Sequence, residues 1–351
     1  MPERAKSLSQ RVQEQTARTI LEFYGDSIGR LKSRVQSDRC VLEGLAEWLP
    51  RGEAQARIQE MIDSYRAVEG LLERPSGQPA RGTPQTSNRT ISRKGHEDGR
   101  TFEDVETFCM FIGYPRSGHS LVGALLDAHP NAAIAHELNA LECIEKGLDR
   151  EHIFRLVLAN SRRVAASGRR WEGYGYEVPN QWQGRFERLQ VIGDKKGGAS
   201  TRKLSSIPGI LRRLSETIDI GIRFIHVVRN PYDNISSMFE HRHRNQSLRT
   251  VIEDYLFLCA TNSKIRERVG GDRVFDLRHE ALVEAPEEIL GDLCNFLDLE
   301  PTEDYLEDCA GLVFDSPRKT RYDVEWNEDT IAAVKTGIDR HESLRGYSYE
   351  N

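Results

Sequence analysis

No apolar run in this 351-residue chain approaches the ~18 residues that a membrane-spanning helix needs. The opening Met1-Pro2-Glu3-Arg4-Ala5-Lys6 has no apolar core of the signal-peptide kind, so the cytoplasm is the expected location. A basic surplus is also missing. Acidic residues outnumber basic ones, 55 to 49, and the net charge of −6 argues against a dedicated nucleic-acid binder. There is no Cys-x-x-Cys pair. Cys40, Cys109, Cys143, Cys259, Cys294 and Cys309 are widely scattered, which argues against a zinc or thioredoxin-like site and for reduced core thiols. The Asn-x-Ser/Thr triplets at Asn88, Asn234 and Asn245 read as chance matches without a secretory signal. No repeat recurs at a fixed period. What remains, at 38 % hydrophobic and 30 % charged residues, is a globular chain long enough to bury a core without disulfides or metals.

The chain divides by composition. Residues 1–75 are rich in Glu, Gln, Arg, Ala and Leu, and Leu21, Ile28, Leu31, Val35, Leu42, Leu45 and Leu49 recur at helical spacing. Ser37-Asp38 offers a helix cap, so two helices are expected there, with a surface available for self-association into a homo-oligomer. Residues 76–101 are polar and carry Gly and Pro throughout, the composition of a linker that buries too little apolar surface to offset its ordering entropy. From residue 102 to 351 short apolar runs alternate with helical stretches. Strands are expected at 108–113, 132–135, 190–193, 222–228 and 273–276. Helices are expected at 118–128, 138–146, 151–166, 201–217, 232–241, 248–269 and 286–297. This alternation predicts an α/β fold with a parallel central sheet flanked by helices on both faces.

The most informative segment is Phe111-Ile-Gly-Tyr-Pro-Arg-Ser-Gly-His-Ser-Leu121. It passes from a strand through a glycine-bearing turn into a helix, the setting in which backbone N–H groups cradle a phosphate. Gly113 and Gly118 have the spacing of a Walker loop and Ser120 fits its last position, but His119 stands where the lysine belongs. The positive charge sits three residues earlier, at Arg116. A second anchor is Arg223-Phe-Ile-His-Val-Val-Arg-Asn-Pro-Tyr-Asp-Asn-Ile-Ser-Ser237. Here a buried strand ends at Arg229, and Pro231 suits a first helical turn. The guanidinium of Arg229 and the hydroxyl of Ser237 can converge on one phosphate, a task that suits the planar fork of arginine.

Two further segments could do chemistry. Ile134-Ala-His-Glu-Leu-Asn139 puts Glu137 and His136 at the end of a short strand, where α/β sheets bind ligands. Glu137 could equally be a carboxylate favouring a helix N-terminus, and His136 titrates near neutral pH. Val191-Ile-Gly-Asp-Lys-Lys-Gly-Gly198 ends a strand in Lys195 and Lys196, which could be a solvated pair or cations aimed at developing negative charge. Trp171 to Gly184 is rich in Trp, Tyr and Gly, suiting an aromatic packing hairpin or an acceptor pocket. His241-Arg-His-Arg244 reads as a solvated helix end or an attractor for an anionic acceptor.

Pro115-Arg-Ser-Gly-x-Ser120, followed by Leu125-Leu-Asp-Ala-His-Pro130, resembles the 5′-phosphosulfate loop of sulfotransferases that use 3′-phosphoadenylyl sulfate, closest to the tyrosylprotein-type and related bacterial enzymes. Arg229, Asn230, Pro231, Asp233 and Ser237 resemble the 3′-phosphate motif of the same families, and Gly193-Asp-Lys195 their Gly-[Asp/Glu]-Lys segment. The resemblance spans residues 107–347 and does not reach the N-terminal helices. It implies sulfuryl transfer to an acceptor hydroxyl or amine, with no metal required. Glu137 would be the general base, His136 its understudy, and Lys195 and Arg116 the charge-stabilising cations. Arg116, Ser117, Gly118, His119 and Ser120 would hold the 5′ end of the donor, and Arg229 and Ser237 its 3′-phosphate. The basic stretch Ser316-Pro-Arg-Lys-Thr-Arg-Tyr322 adds Arg318 and Lys319 as 3′-phosphate ligands, and Trp326 suits a core position. His119 departs from the Thr or Ser usual at its place. The acceptor, whether small molecule, glycan or peptide, is left open. A P-loop kinase and a non-catalytic nucleotide-binding scaffold are the competing expectations.

Overall fold

A computed structural model of the protein describes residues 102–171, 173–241 and 246–351. The helices and linker expected at 1–75 and 76–101, Cys40, Asn88, Asn245 and residues 242–244 of the His/Arg cluster lie outside the described residues.

The first strand, β1 (Thr107–Gly113), is buried along its whole length. Its side chains alternate across the sheet, as strand geometry requires. Phe108, Met110 and Ile112 enter one apolar cluster, and Cys109 and Phe111 enter another. Burial on both faces is why the strand reads as an unbroken apolar run. After it come α1 (His119–Asp127), β2 (Ala132–His136), α2 (Ala140–Glu145) and α3 (Arg150–Ala166). Asp149 caps α3 by accepting the His152 N–H at 3.0 Å. Two short strands, β3 (Arg170–Trp171) and β4 (Tyr174–Gly175), then form an antiparallel hairpin in the aromatic segment.

β5 (Val191–Lys195) runs two residues further than the sequence suggests, carrying Lys195 to the sheet edge. The helix expected at 201–217 is two helices, α4 (Gly198–Ser206) and α5 (Ile210–Ile218). Pro208 disfavours helical backbone at Ile207, which is extended, and Gly209 starts α5 in a left-handed conformation. β6 (Gly221–Val228), α6 (Pro231–His241), α7 (Leu248–Val269) and β7 (Val274–Arg278) follow. The chain ends through α8 (His279–Glu284), α9 (Pro286–Phe296), α10 (Glu303–Ala310) and α11 (Glu328–Asp339).

The five long strands form one parallel sheet in the order β2-β5-β1-β6-β7. Leaving β1, the chain first builds β2 and β5 on one side, then crosses to β6 and β7 on the other. That reversal opens a crevice at the carboxyl ends of the central strands, where open α/β sheets receive ligands. Four of the motifs singled out in the sequence lie at strand ends: residues 114–120 after β1, Glu137 after β2, Lys195 and Lys196 at β5, and Arg229 after β6. No helix among the described residues is long and apolar enough to cross a membrane. Cys109, Cys143, Cys259, Cys294 and Cys309 are all buried free thiols. Asn234 is wholly buried and donates to the Pro115 carbonyl at 2.7 Å, so its triplet is closed to glycosylation.

Candidate active site

The loop between β1 and α1 is shaped by its backbone. Arg116 and Gly118 both take positive φ, 68° and 97°. At Gly118 a side chain would also meet the His279 ring, since a Cβ there would stand 2.2 Å from Cδ2. No side chain caps the helix that starts at His119, which leaves the first N–H groups of α1 at the crevice. Together with the positive end of the helix dipole they form an anion cradle. Ser117 is buried, and its hydroxyl donates to the Tyr114 carbonyl at 3.0 Å, so this side chain ties the loop to itself. His119 turns toward Glu137, its Nε2 3.9 Å from the carboxylate. Burial lowers the titration point of this imidazole, and Lys195 and Arg116 add to that against the pull of Glu137.

Glu137 is the hub. β2 and β5 are neighbours in register, His136 opposite Lys195, and the Glu137 N–H donates to the Lys195 carbonyl at 2.9 Å. With a φ of 63° the backbone turns the side chain back over the end of β5. Lys195 Nζ donates to Glu137 Oε1 at 2.8 Å and to Ser120 Oγ at 3.1 Å, while Lys196 Nζ lies 2.7 Å from Oε2. Glu137 just after β2, Lys195 at the end of β5 and Ser120 in the first turn of α1 form one hydrogen-bonded unit. Burial pushes the Glu137 carboxyl up, but Lys195, His119 and Lys196 outweigh it and hold it well below the ordinary carboxylate range. Lys195 is only 1 % exposed, and burial lowers its ammonium against the pull of Glu137. Its stem crosses Gly123 of α1 so closely that a Cβ there would stand 2.8 Å from Cγ. His136 lies beside this unit with its ring 4.8 Å from that of Trp171. Burial, reinforced by Lys195, holds it well below an ordinary histidine, and its Nε2 has no hydrogen-bond partner among the described residues.

The second cluster forms at the end of β6. Arg229 is largely buried, and its guanidinium donates to the carbonyls of Arg116 and Arg318 and to Thr320 Oγ1 at 3.3 Å. Arg116 Nε reaches Ser237 Oγ at 3.4 Å, which joins the two phosphate motifs across 121 residues of sequence. Burial lowers the Arg229 titration point, partly offset by Asp233 and Glu280. Arg318 and Lys319 lie on the exposed rim, with Arg318 also 3.3 Å from Asp323. Trp326 donates to Ser236 Oγ at 3.1 Å and packs on Tyr232. In the aromatic hairpin, Tyr174 packs near Tyr176 and Phe314, and Tyr174 and Phe314 are 37 % and 50 % exposed.

Four residues were missed in the sequence. Asp194 is fully buried below Glu137 and accepts the N–H groups of Leu138 at 3.0 Å and Ala140 at 2.7 Å, fixing the turn that carries the carboxylate. Burial raises it to about 6 against these two donors. Its signal was its place beside Lys195. Arg321, the third cation of the C-terminal basic stretch, is buried and pairs with Asp233 through both its oxygens. His279 and Glu280 begin α8, between the strand expected at 273–276 and the helix expected at 286–297. His279 faces Gly118, and Glu280 Oε1 accepts the Asn230 N–H at 2.8 Å.

Strand order, the uncapped loop and the cations at the carboxyl edge define an α/β protein with a cation-lined crevice at the ends of its central strands. The profile of the sulfotransferase family matches residues 110–304, more than half the chain, and the chain belongs to that family. No curated protein matches it in sequence. Among solved structures it is similar to the sulfotransferase domain of the Synechococcus PCC 7002 olefin synthase, at 18 % identity over 66 % of this chain and 94 % of that one, with a TM-score of 0.40. It is also similar to sulfotransferase STF9 from Mycobacterium avium, at 13 % identity over 69 % and 79 % of the two chains, with a TM-score of 0.41. Mouse sulfotransferase SULT7A1, solved in complex with PAP, gives 12 % identity over 69 % and 88 %, with a TM-score of 0.39.

Proposed function

We propose that this sulfotransferase takes its sulfuryl group from 3′-phosphoadenylyl sulfate and delivers it to an acceptor hydroxyl or amine, with Glu137 as general base. The observation that carries this proposal is the unit Glu137–Lys195–Ser120, in which a carboxylate and a buried ammonium stand at the rim of the anion cradle. The residues present fit the donor. The uncapped start of α1 suits its 5′ end, and Arg229, Ser237, Arg318 and Lys319 suit a second phosphate. When bound, the donor supplies a sulfuryl group on a phosphate leaving group. Everything else is done by backbone and side-chain groups of this chain.

Arg116 and the N–H groups of Ser117, Gly118, His119 and Ser120 hold the 5′ end. Lys195, poised between Ser120 and Glu137, supplies positive charge where negative charge develops on the leaving oxygen. Glu137 takes the acceptor proton on a carboxylate oxygen. Clamped by two lysines, its carboxylate is ionised but weakly basic. It gains proton affinity when Lys195 or Lys196 turns toward another anion, which couples the base to filling of the loop. His136, kept neutral by burial, borders the acceptor side with Trp171. The exposed rings of Tyr174 and Phe314 suit contact with an aromatic or sugar acceptor. No metal enters this scheme, and the buried free thiols among the described residues suit a reducing cytoplasm.

The test is an acceptor screen with isotopically labelled donor, read by mass spectrometry, beside calorimetry of nucleotide binding. Labelled sulfated product and binding of adenosine 3′,5′-bisphosphate without magnesium are expected. Magnesium-dependent ATP binding with no affinity for the bisphosphate would instead establish a kinase-like loop. Bisphosphate binding without turnover on any acceptor would establish a nucleotide-binding scaffold.

A further inference from the structure

The end of the chain is fastened to the back of the Arg229 cluster. Arg321 spends its guanidinium on Asp233, with Nε 2.9 Å from Oδ1 and Nη2 2.6 Å from Oδ2, and on the carbonyls of Ser348 at 3.1 Å and Tyr349 at 2.7 Å. Asn230 Nδ2 donates to the Ser348 carbonyl at 3.0 Å and the Asn351 carbonyl at 3.1 Å. Glu280 closes the figure. One oxygen accepts the Asn230 N–H, and the other accepts the Tyr347 hydroxyl at 2.7 Å. The Tyr349 ring lies 5.2 Å from that of Tyr232, and Tyr322 and Trp326 are each 6.2 Å away.

The buried pair at the centre of this figure is closed to the donor. Asp233 and Arg321 are 2 % and 1 % exposed, and their polar atoms are already engaged. Yet they fix the part that grips. Asp233 accepts the Arg321 N–H at 2.9 Å, and its carbonyl accepts the Thr320 hydroxyl at 2.7 Å. Those bonds lay residues 318–321 across Arg229, whose guanidinium donates to the Arg318 carbonyl and to Thr320. The orientation of Arg229 and the course of the Arg318–Lys319 rim therefore depend on a buried pair that the last residues complete. An arginine with a bidentate carboxylate but without its carbonyl partners would keep buried N–H groups unpaired, a costly state that favours rearrangement of the loop.

We infer that residues 345–351 are a positioning strap for the 3′-phosphate grip, so that occupation of the 3′-phosphate position and closure of the strap favour each other. This rests on the donor assignment above. Coupling between two sites is reciprocal, so it can be read from either end.

The test compares two probes on the full chain, adenosine 3′,5′-bisphosphate and adenosine 5′-monophosphate, which differ only in the 3′-phosphate. By calorimetry, Tyr349→Ala, Tyr347→Phe and a chain ending at Leu344 should lose affinity for the bisphosphate by about tenfold, within the usual range for coupled sites. Affinity for the monophosphate should stay within about threefold, less than ~0.7 kcal/mol at 1.4 kcal/mol per tenfold. Hydrogen exchange on the unaltered protein should show slower amides at 346–351 with the bisphosphate than with the monophosphate, a readout that survives if the shortened chain fails to fold. Equal weakening of both probes, full retention of both, or equal exchange protection would overturn the strap. If the unaltered protein does not prefer the bisphosphate, the donor assignment falls and the strap with it. If it does and the variants keep that preference, the strap alone falls.

Discussion

Replacing Glu137 by Gln keeps the shape of the hub and removes its charge. Gln can still accept from Lys195 through one oxygen, but its amide nitrogen faces Lys196, which lies 2.7 Å from the second carboxylate oxygen. Positioned general bases contribute ~10²–10⁴-fold, or about 3–5 kcal/mol of barrier at 1.36 kcal/mol per tenfold. A turnover loss of that size is expected. Stability falls as well, because the buried Lys195 loses its counter-charge. A hydrogen bond to a charged group is worth ~1.5–3 kcal/mol, and partial retention by Gln brings the expected loss toward the lower figure, with ~2–4 °C of Tm per kcal/mol for a domain of this size. The sign of the pH dependence follows from the depressed carboxyl. Its stabilisation is complete above the ordinary carboxylate pKa and disappears as pH falls through the lower folded value. The variant should therefore show a shallower acid limb than the unaltered protein. Affinity for adenosine 3′,5′-bisphosphate should be unchanged or tighter, since Lys195 and Lys196 are released toward an anion. The assay is mass-spectrometric transfer to whichever acceptor the screen returns, with calorimetry and thermal melts on the same preparations. Turnover within threefold of the unaltered protein would refute Glu137 as base. Lost turnover with lost bisphosphate binding would mean that the substitution damaged the loop instead.

Arg229→Ala removes the cation at the end of β6 and should weaken bisphosphate binding by roughly 10–100-fold, the scale of one charge-assisted hydrogen bond; an unchanged dissociation constant by calorimetry would reject it as a phosphate ligand. Gly118→Ala places a Cβ at φ 97° and against the His279 ring. It should cost ~1–3 kcal/mol in urea denaturation, and pairing it with His279→Ala should recover only the steric part. Asp194→Asn leaves the N–H of Leu138 or Ala140 facing an amide nitrogen. The unaltered Asp194 carboxyl is raised to about 6 in the fold, so its contribution is complete below the ordinary carboxylate value of ~3.9 and is lost as pH rises through the folded value. The stability advantage of the unaltered protein over the variant should shrink from pH 4 to 6 in urea titrations; an advantage that widens would contradict the burial argument.

Much of the fold was legible because its signals are local. β1 and the second half of β6 are dominated by apolar residues, so burial on both sheet faces shows in the sequence itself. Loops with Gly, Pro and Asn mark the strand ends, and Leu248–Val269 begins at a capping Ser247 where the periodicity begins. The helical pattern over 201–217 hides a break, because Pro208 and Gly209 divide it in two while the apolar spacing continues across them. The short helices α8 and α10 passed unread because packing, more than propensity, decides elements of that length.

The sequence by itself determined that the chain carries a glycine-bearing loop between a strand and a helix, an arginine at a second strand end, and a carboxylate and lysines at two more. These are statements about residue type and local conformation, and each segment carries its own. Only the tertiary structure decided which of them meet. Glu137 and Lys195 are 58 residues apart and touch because β2 and β5 are parallel neighbours in register. Asp233 and Arg321, 88 residues apart, pair because the stretch after α10 returns across α6. Strand order and loop return arise from competition among packings of the whole chain, and no single segment encodes them. The charge of −6 is in the same position. It is a sum fixed by composition, while the placing of Arg116, Lys195, Lys196 and Arg229 around one crevice, where they can hold an anion, is a property of the sheet.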